Sequence, residues 1–377
     1  TTGLTSGAAD LPLLLSCCPL RLSSKSSPQG VPVLIMGPKK ALPALNMQEY
    51  APQNPHMQQS YVVTASGTFN KDDFSVKSTG ITATPEGEGR VSSLAMADLT
   101  VDETPVGSGA SAFVRKAVHV PTQRVIALKS INISDKSKRD QLMTELKILT
   151  KAECPNVLEF YDAFWADPFI HLAIEYMDRG SLDVVMKTCA IPTEDVISLI
   201  LRQLLLGLHF LHDVRKNIHR DLKPGNVLVH SNGSVKVSDF GISREMNQTK
   251  GFAATFTGTA IYMSPERMQG KPYSFPADVW ALGLIATELS IGRYPYHLRP
   301  DMKYFELVTT IANRPPPLPG ADFSAEFNSF VEGTIQPLEA NRSDCATLLM
   351  TPFIQNYSQQ TEAIVAQWLE TKKIQVI

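Results

Sequence analysis

Apolar residues occur in short runs in the middle of the chain and in longer runs toward its end. From about residue 99, runs rich in β-branched and aromatic residues predict strands, with one amphipathic helix between the second and third strands. The predicted strands are at 113–120, 124–130, 157–165 and 170–177, and the helix is at 140–151. Leu142, Leu146 and Leu149 lie on one face of that helix.

Beyond residue 181 the longer apolar runs predict a mostly helical region, with the longest helices at 195–212 and 277–291. The change from strands to helices near residues 176–178 indicates an α+β fold, with a small β-rich lobe, a larger helical lobe and a cleft at their joint. We place the folded domain at 98–355, the N-lobe at 98–177 and the C-lobe at 178–355. A helical tail follows at 356–377.

Residues 1–97 have a different composition, rich in Ser, Thr, Gly, Pro and Gln, with little periodic apolar pattern. We therefore expect them to be mostly disordered. Residues 1–35 include one short apolar stretch, which we interpret either as a leader translated ahead of a native start at Met36 or as a targeting segment.

Two short motifs carry the chemistry. Residues 219–226 read HRDLKPGN, and Asp239 opens the sequence DFG thirteen residues after Asn226. Between them, two β-prone runs flank an Asn-Gly turn, and such a hairpin brings both motifs to one place. Phosphoryl transfer from ATP needs this set of groups: Asp221 to accept a hydroxyl proton, Lys223 to balance phosphate charge, and Asn226 with Asp239 to hold Mg²⁺.

Upstream lie further groups suited to phosphate. The glycine-rich stretch 106–114 lets backbone N–H groups approach phosphate oxygens closely, although Ala112 stands where a third glycine would complete the pattern. Lys129, on a predicted strand, is placed to contact the α- and β-phosphates, and Glu145 on the following helix is its expected partner.

Three further charged residues are expected to support the helical lobe. Glu266 should pair with Arg342, and Asp278, at the start of a buried helix, should accept N–H groups from the catalytic loop.

Composition narrows the range of partners. The chain has 377 residues and a formal charge of −2, so bulk charge gives no reason to expect nucleic-acid binding. Its five cysteines show neither paired nor metal-ligand spacing, which favours a reducing compartment and a cytoplasmic location, with the nucleus as a further location. We also expect no membrane association, because no apolar run approaches the length of a span.

Several segments together resemble the eukaryotic protein kinases, and within them the MAP kinase kinases. The resemblance covers about residues 99–354 and includes the HRDLKPGN and DFG motifs, GTAIYMSPER at 258–267, EYMDRGSL at 175–182 and GRYPY at 292–296. It implies the bilobal protein kinase fold, with ATP bound between the lobes, and it implies ATP and Mg²⁺ as cofactors.

By this resemblance Ile174 is the gatekeeper, Glu175 and Met177 form the hinge that contacts adenine, and Thr259 braces Asp221 and Lys223. The full set of expected ATP-binding residues is Val106, Gly107, Ser108, Gly109, Ala110, Val114, Ala127, Lys129, Ile174, Glu175 and Met177. The usual proline before Arg342 is absent, which leaves the geometry of that corner open.

The resemblance also implies regulation and partners. Thr249 and Thr255, separated by five residues as in plant-type enzymes, are the expected activating phosphosites; the animal-type spacing would place the first site at Gly251. An upstream MAP kinase kinase kinase would phosphorylate them. Residues 39–45, with Lys39 and Lys40 followed by Leu42 and Leu45, resemble the motif by which these enzymes dock onto their MAP kinase substrate.

The leading hypothesis is an active dual-specificity kinase that phosphorylates a threonine and a tyrosine of a MAP kinase. An ordinary Ser/Thr kinase is the alternative among enzymes. A pseudokinase scaffold is the alternative from another class, although it predicts a missing catalytic Lys, Asp or Asn, and none is missing.

Overall fold

The fold is described from a computed structural model. The residues that the structure describes are 62–63, 68–71, 74–83, 94–108, 112–134, 136–150, 153–239, 260–297, 299, 302, 304–313 and 316–372. All of them belong to one unit, Gln58–Ile377.

A five-stranded antiparallel sheet forms the smaller lobe, in the order β5-β6-β7-β9-β8. Its strands are β5 (Leu99–Ser108), β6 (Ala112–His119), β7 (Arg124–Asn132), β8 (Phe160–Ala166) and β9 (Phe169–Glu175). Lys129 lies opposite Val114 on one neighbouring strand and Leu172 on the other, and Ala127 lies opposite Ile174. Directly paired residues share a face of a sheet, so four of the expected ATP-binding residues lie on one face: Val114, Ala127, Lys129 and Ile174.

The predicted strand at 157–165 starts later than expected, at Phe160. Val157 instead forms an isolated parallel bridge with Val237 of the helical lobe. The local β propensity was correct, but the partner belongs to the other lobe, and sequence pattern cannot show that.

Helix α1 (Lys136–Leu149) packs against the sheet through the predicted face. Leu142, Leu146 and Leu149 are at most 2 % exposed, and Glu145 is turned inward beside them. The opposite side of the sheet is closed by a 3₁₀ turn at Met96–Asp98, where Leu94 and Met96 cover a second small apolar cluster.

A second antiparallel sheet lies within the N-terminal extension, and it corrects the expectation of disorder over residues 62–83. Its strands, in the spatial order β1-β2-β3-β4, are β1 (Val62–Val63), β2 (Phe69–Lys71), β3 (Phe74–Lys77) and β4 (Gly80–Ala83). Phe69 and Val76 are fully buried, and the Phe69 ring lies 5.3 Å from that of Trp165 on β8. Such short strands carry almost no periodic signal, and their apolar partner lies far along the chain.

Gly80 shows how closely this sheet approaches β8. Its φ of +130° suits glycine, and an added Cβ would lie 2.6 Å from a carboxylate oxygen of Asp162. The same carboxylate accepts the Ile81 N–H at 2.9 Å, so the sheet is hydrogen-bonded to the lobe as well as packed on it.

Where the structure describes it, the larger lobe is helical apart from one hairpin, β10 (Val227–Val229) and β11 (Val235–Val237). Its helices are α2 (Leu182–Thr188), α3 (Glu194–His209), α4 (Pro265–Met268), α5 (Pro276–Ile291), α6 (Tyr304–Asn313), α7 (Ala325–Thr334), α8 (Cys345–Leu349), α9 (Pro352–Gln355) and α10 (Ala363–Leu369). The two longest predicted helices correspond to α3 and α5. Both are buried along most of their length, which explains their largely apolar sequence.

Helix α3 continues through a π-helical turn at Phe210–Val214. The combined helix, Glu194–Val214, is long and apolar enough by length and composition to cross a membrane, so the expectation that no segment approaches that length was wrong. However, 72 % of its most apolar 18-residue stretch is buried inside the lobe, as is usual for a core helix.

The C-terminal helix α10 packs back onto the hairpin and onto the segment between α2 and α3. Val365 and Trp368 are buried, and the Trp368 indole donates to the Ala190 carbonyl at 2.8 Å. Arg179 forms an ion pair with Glu370, which ties the start of the helical lobe to the tail.

Candidate active site

The two lobes meet around one buried ammonium group. Lys129 Nζ on β7 donates to Glu145 Oε1 of α1 at 2.9 Å, and it also forms an ion pair with Asp239, which follows β11 in the helical lobe. The Lys129 side chain is only 11 % exposed. The Lys129–Glu145 pair expected from the sequence is therefore present, and Asp239 joins it.

Electrostatics favour the charged form of this lysine. Burial alone would lower the pKa of Lys129, but Asp239 and Glu145 outweigh burial and raise it above its usual value. Burial would raise the pKa of Asp239, but Lys129 lowers it overall. Burial raises the pKa of Glu145, whose Oε2 is buried without a hydrogen-bond partner among the described residues. Asp239 is thus the more firmly ionised carboxylate of the two.

A second group of polar side chains surrounds Asp221 in the loop before β10. Lys223 Nζ donates to Asp221 Oδ2 at 2.9 Å. Asn226 Nδ2 donates both to the same oxygen, at 2.9 Å, and to the Asp221 carbonyl, at 2.7 Å. The structure therefore brings together the three loop residues that the sequence singled out.

His219 joins this loop to the segment that carries Asp239. Its Nε2 lies 2.9 Å from the Ser238 carbonyl, and its Nδ1 accepts the Asp221 N–H at 3.2 Å. The Ser238 N–H in turn donates to the Asn226 carbonyl at 2.9 Å. The β10–β11 hairpin and these bonds place both motifs together, as the Asn-Gly turn predicted.

Two site residues adopt left-handed backbone conformations. Arg220 has φ +72° and Asp239 has φ +60°. For residues with a side chain this region is sparsely populated and costs about 1–3 kcal/mol. Each therefore depends on surrounding contacts that hold it in place.

Asp278 supplies such contacts from the first turn of α5. Its Oδ2 accepts the His219 N–H at 2.7 Å, and its Oδ1 accepts the Arg220 N–H at 2.9 Å. Burial would raise the pKa of Asp278, but its hydrogen bond with His212 lowers it overall. These contacts confirm the expected role of Asp278. The sequence analysis did not identify His212 as its partner, although an imidazole at the end of a long apolar helix was a signal that could have indicated it.

Arg342 and Glu266 form the expected pair. Two guanidinium nitrogens each lie 2.7 Å from a different Glu266 oxygen, a bidentate arrangement. The pair forms without a proline before Arg342, because a 3₁₀ turn at Glu339–Asn341 brings the chain into position.

The remaining expected ATP-binding residues lie on the strands of the small lobe and just after β9, where the chain leaves the sheet. Ala127, Ile174 and Met177 are 6–7 % exposed, and Val114 packs partly buried against the same core. Val106 is 56 % exposed, and nothing lies within 4 Å of a Cβ added to Gly107. Ser108 ends β5, and Gly109 and Ala110 lie outside the described residues.

Glu175 is the expected hinge residue whose side chain points elsewhere. Its Oε2 accepts from Lys236 Nζ at 2.7 Å, and its backbone N–H donates to the Glu159 carbonyl at 2.9 Å. Its Oε2 and its backbone N–H are therefore both engaged within the protein.

Several predicted residues lie outside the described part of the chain. They are the phosphosites Thr249 and Thr255, the bracing residue Thr259, and the docking residues Lys39, Lys40, Leu42 and Leu45. Their roles stay predictions.

Comparison with known proteins gives consistent matches. The family model for the protein kinase domain matches residues 100–354. Mitogen-activated protein kinase kinase 1c of Physcomitrium patens is 37 % identical over 326 residues, which cover 80 % of this chain and 92 % of that protein. Mitogen-activated protein kinase kinase 2 of Arabidopsis thaliana is 38 % identical, covering 78 % and 85 %. Mitogen-activated protein kinase kinase 3 of the same plant is 40 % identical over 259 residues, but the match spans only 49 % of its length.

The buried ammonium yields a prediction about stability. Lys129→Met should lower the free energy of unfolding by roughly 1–3 kcal/mol, because the buried Glu145 carboxylate and the partly exposed Asp239 carboxylate lose their cation. Part of the cost is avoided, since Glu145 can take up a proton. Lys187→Met, at a lysine whose side chain is 74 % exposed in its pair with Asp183, is the matched control and should change stability by less than about 0.5 kcal/mol. Denaturant unfolding measures both; equal losses would contradict the importance of the buried pair.

Proposed function

The chain belongs to the protein kinase family and, within it, to the MAP kinase kinases, and we propose that it phosphorylates both a threonine and a tyrosine in the activation loop of a MAP kinase. ATP is the phosphate donor of this family. The observation that carries the proposal is the set of charges at the lobe junction: Lys129 between two carboxylates, and Asp221 held by Lys223 and Asn226.

We assign the chemical roles from that geometry. Asp221 orients the substrate hydroxyl and accepts its proton, which typically contributes about 10²–10⁴ in rate. Lys223, already beside the Asp221 carboxylate, stabilises charge on the transferred phosphoryl group. Lys129 contacts the α- and β-phosphates, and its pairing with Glu145 sets the position of its ammonium.

The donor set also fits Mg²⁺, which would neutralise phosphate charge when bound. Asn226 uses its Nδ2 for two hydrogen bonds to Asp221, so its Oδ1 is the atom available to a cation. Asp239 gives one oxygen to Lys129 and has a second to offer. No cluster of three or more His, Cys, Asp or Glu residues occurs in the described part of the chain, which suits an ion that completes its shell with water and phosphate.

The test is incubation of the protein, first phosphorylated by an upstream MAP kinase kinase kinase and then purified, with Mg²⁺, ATP and a catalytically inactive MAP kinase, followed by mass spectrometry of the MAP kinase activation loop. We expect phosphate on both threonine and tyrosine. Phosphate on threonine alone would indicate the ordinary Ser/Thr kinase, and no transfer would indicate a pseudokinase scaffold. Asp221→Ala should lower turnover by about 10² or more with an unchanged fold, whereas the exposed Asp322→Ala should match the parent.

We further propose that an upstream MAP kinase kinase kinase activates this enzyme at Thr249 and Thr255. Their spacing and their position ahead of the GTAIYMSPER motif support the assignment. Each phosphate adds about −1.5 to −2 charge, and Arg220, next to Asp221, is a suitable partner for it.

Replacing Thr249 and Thr255 with Asp should raise basal activity, though less than phosphorylation does, because a carboxylate carries less charge than a phosphate. Thr257→Asp is the matched control within the same segment. Phosphate found only on Thr257 or Thr259 in the activated protein would overturn the assignment.

Residues 39–45 are our proposed MAP kinase docking segment. Lys39 and Lys40 would meet an acidic patch, while Leu42 and Leu45 would enter an apolar groove at about 1.5–3 kcal/mol each if fully buried. Deleting residues 36–46 should weaken binding to the MAP kinase without changing activity on a short peptide.

Titration at low and high salt separates the two contributions. The charge contribution should shrink at high salt, where the screening length falls below about 8 Å, and the apolar contribution should persist. Replacing Leu42 and Leu45 with Ser, with both lysines kept, should remove only the apolar contribution to binding. Equal affinities of full-length and truncated protein at every salt concentration would place docking elsewhere.

For location we propose the cytoplasm, with access to the nucleus and without membrane or nucleic-acid association. Cys154, Cys189 and Cys345 are free thiols in the described part of the chain, which supports a reducing compartment. Fluorescence microscopy of the tagged protein tests this; secretion or a stable membrane pool would contradict it.

A further inference from the structure

A cysteine, a histidine and an aspartate form a chain of contacts beneath the catalytic loop. Cys345 opens α8, His212 lies in the π-helical turn after α3, and Asp278 lies in the first turn of α5. They are 2 %, 4 % and 1 % exposed, respectively. Cys345 Sγ lies 3.6 Å from His212 Nδ1, and His212 Nε2 lies 2.8 Å from Asp278 Oδ2.

The hydrogen-bond partners fix which atom carries each proton. The Asp278 carboxylate accepts the backbone N–H groups of His219 and Arg220, and an ionised carboxylate can only accept. His212 Nε2 must therefore carry the hydrogen that it shares with Asp278. In a neutral ring Nδ1 then carries a lone pair and no hydrogen, and the Cys345 thiol is the group that faces it.

The thiol is suited to donate. Burial raises the pKa of Cys345, and the nearby carboxylates of Asp278, Asp213 and Asp344 raise it further, so the sulfur keeps its hydrogen. The Phe275 ring lies 4.8 Å from the imidazole and covers one of its faces. With His212 only 4 % exposed, the thiol is the donor that the structure places at Nδ1.

We propose that Cys345 is a positioning residue for the reaction: its thiol donates to His212 Nδ1 and holds the ring with the Nε2 hydrogen directed at Asp278. Without that donor the buried lone pair would be unsatisfied, and the ring would lose one of the two hydrogen bonds that fix its orientation. A ring that turns from this orientation would weaken its hydrogen bond to the Asp278 carboxylate. The backbone of His219 and Arg220, and with it Asp221, would then lose part of its support.

The catalytic part of this inference rests on the proposed role of Asp221, but the state of His212 can be read without any activity. The full-length protein labelled with ¹⁵N-histidine has eight imidazoles, and His212→Asn identifies the signal of interest. In the unaltered protein we expect a protonated Nε2 and an unprotonated, hydrogen-bonded Nδ1. A protonated Nδ1 would overturn the proposal, whether or not any variant folds.

Two variants separate hydrogen bonding from packing. Cys345→Ala and Cys345→Ser remove a similar volume, but only serine keeps a donor. We expect the alanine variant to lose the hydrogen bond at Nδ1, seen as a shift of that ¹⁵N signal, and to lower kcat toward the MAP kinase by roughly five- to tenfold with the KM for ATP nearly unchanged. The serine variant should restore both the spectrum and most of kcat.

Equal behaviour of the two variants, or an unchanged His212 spectrum in Cys345→Ala, would reduce Cys345 to a packing residue and overturn the proposal. Asp221→Ala provides the independent comparison. It should abolish turnover while leaving the His212 signal unchanged, so failure of the proposed function and failure of this inference give different results.

Discussion

The active site depends on one ammonium group, that of Lys129, which is shared between carboxylates from different lobes. Glu145 reaches it from α1 of the small lobe, and Asp239 reaches it from the end of the β10–β11 hairpin. Lys129 and Glu145 are buried, and a buried charge is costly unless it is paired, so these two groups require each other; Asp239, which is partly exposed, adds a second carboxylate to the lysine. The position of α1, the sheet that carries Lys129 and the segment after the hairpin are therefore coupled, and the cleft has a defined width where phosphates would lie.

Buried charges that are paired also hold the loops of the helical lobe beneath the site. Asp278 is almost fully buried, yet it accepts two backbone N–H groups and the His212 imidazole. Arg342, whose side chain is completely buried, holds both oxygens of Glu266 and also packs 5.1 Å from the Trp280 ring. Neither carboxylate has a role in the reaction that we propose. They hold loops that would otherwise lose their conformation, since loops bury too little apolar surface to hold themselves.

The sequence could predict a feature of this structure when the residues that determine it lie close together along the chain. The face of α1 that carries Glu145 follows from the spacing of three leucines, and the meeting of Asp221 with Asp239 follows from a hairpin turn between them. The sheet at residues 62–83 could not be predicted, because Phe69 is buried by Trp165, nearly a hundred positions further on. The same limit hid the link from Val157 to Val237, and it hid the hydrogen bond of His212 to Asp278.

The left-handed conformations of Arg220 and Asp239 explain why these two residues lie on loops rather than on regular elements. A residue in a helix or a strand has its backbone dihedral angles set by that element, whereas these two adopt angles that cost about 1–3 kcal/mol each. Asp278 holds the first through its N–H, and Lys129 holds the second through its carboxylate. Both anchors are buried charges, which become more costly when their partner is lost. The strained backbone and the buried charge thus stabilise one another.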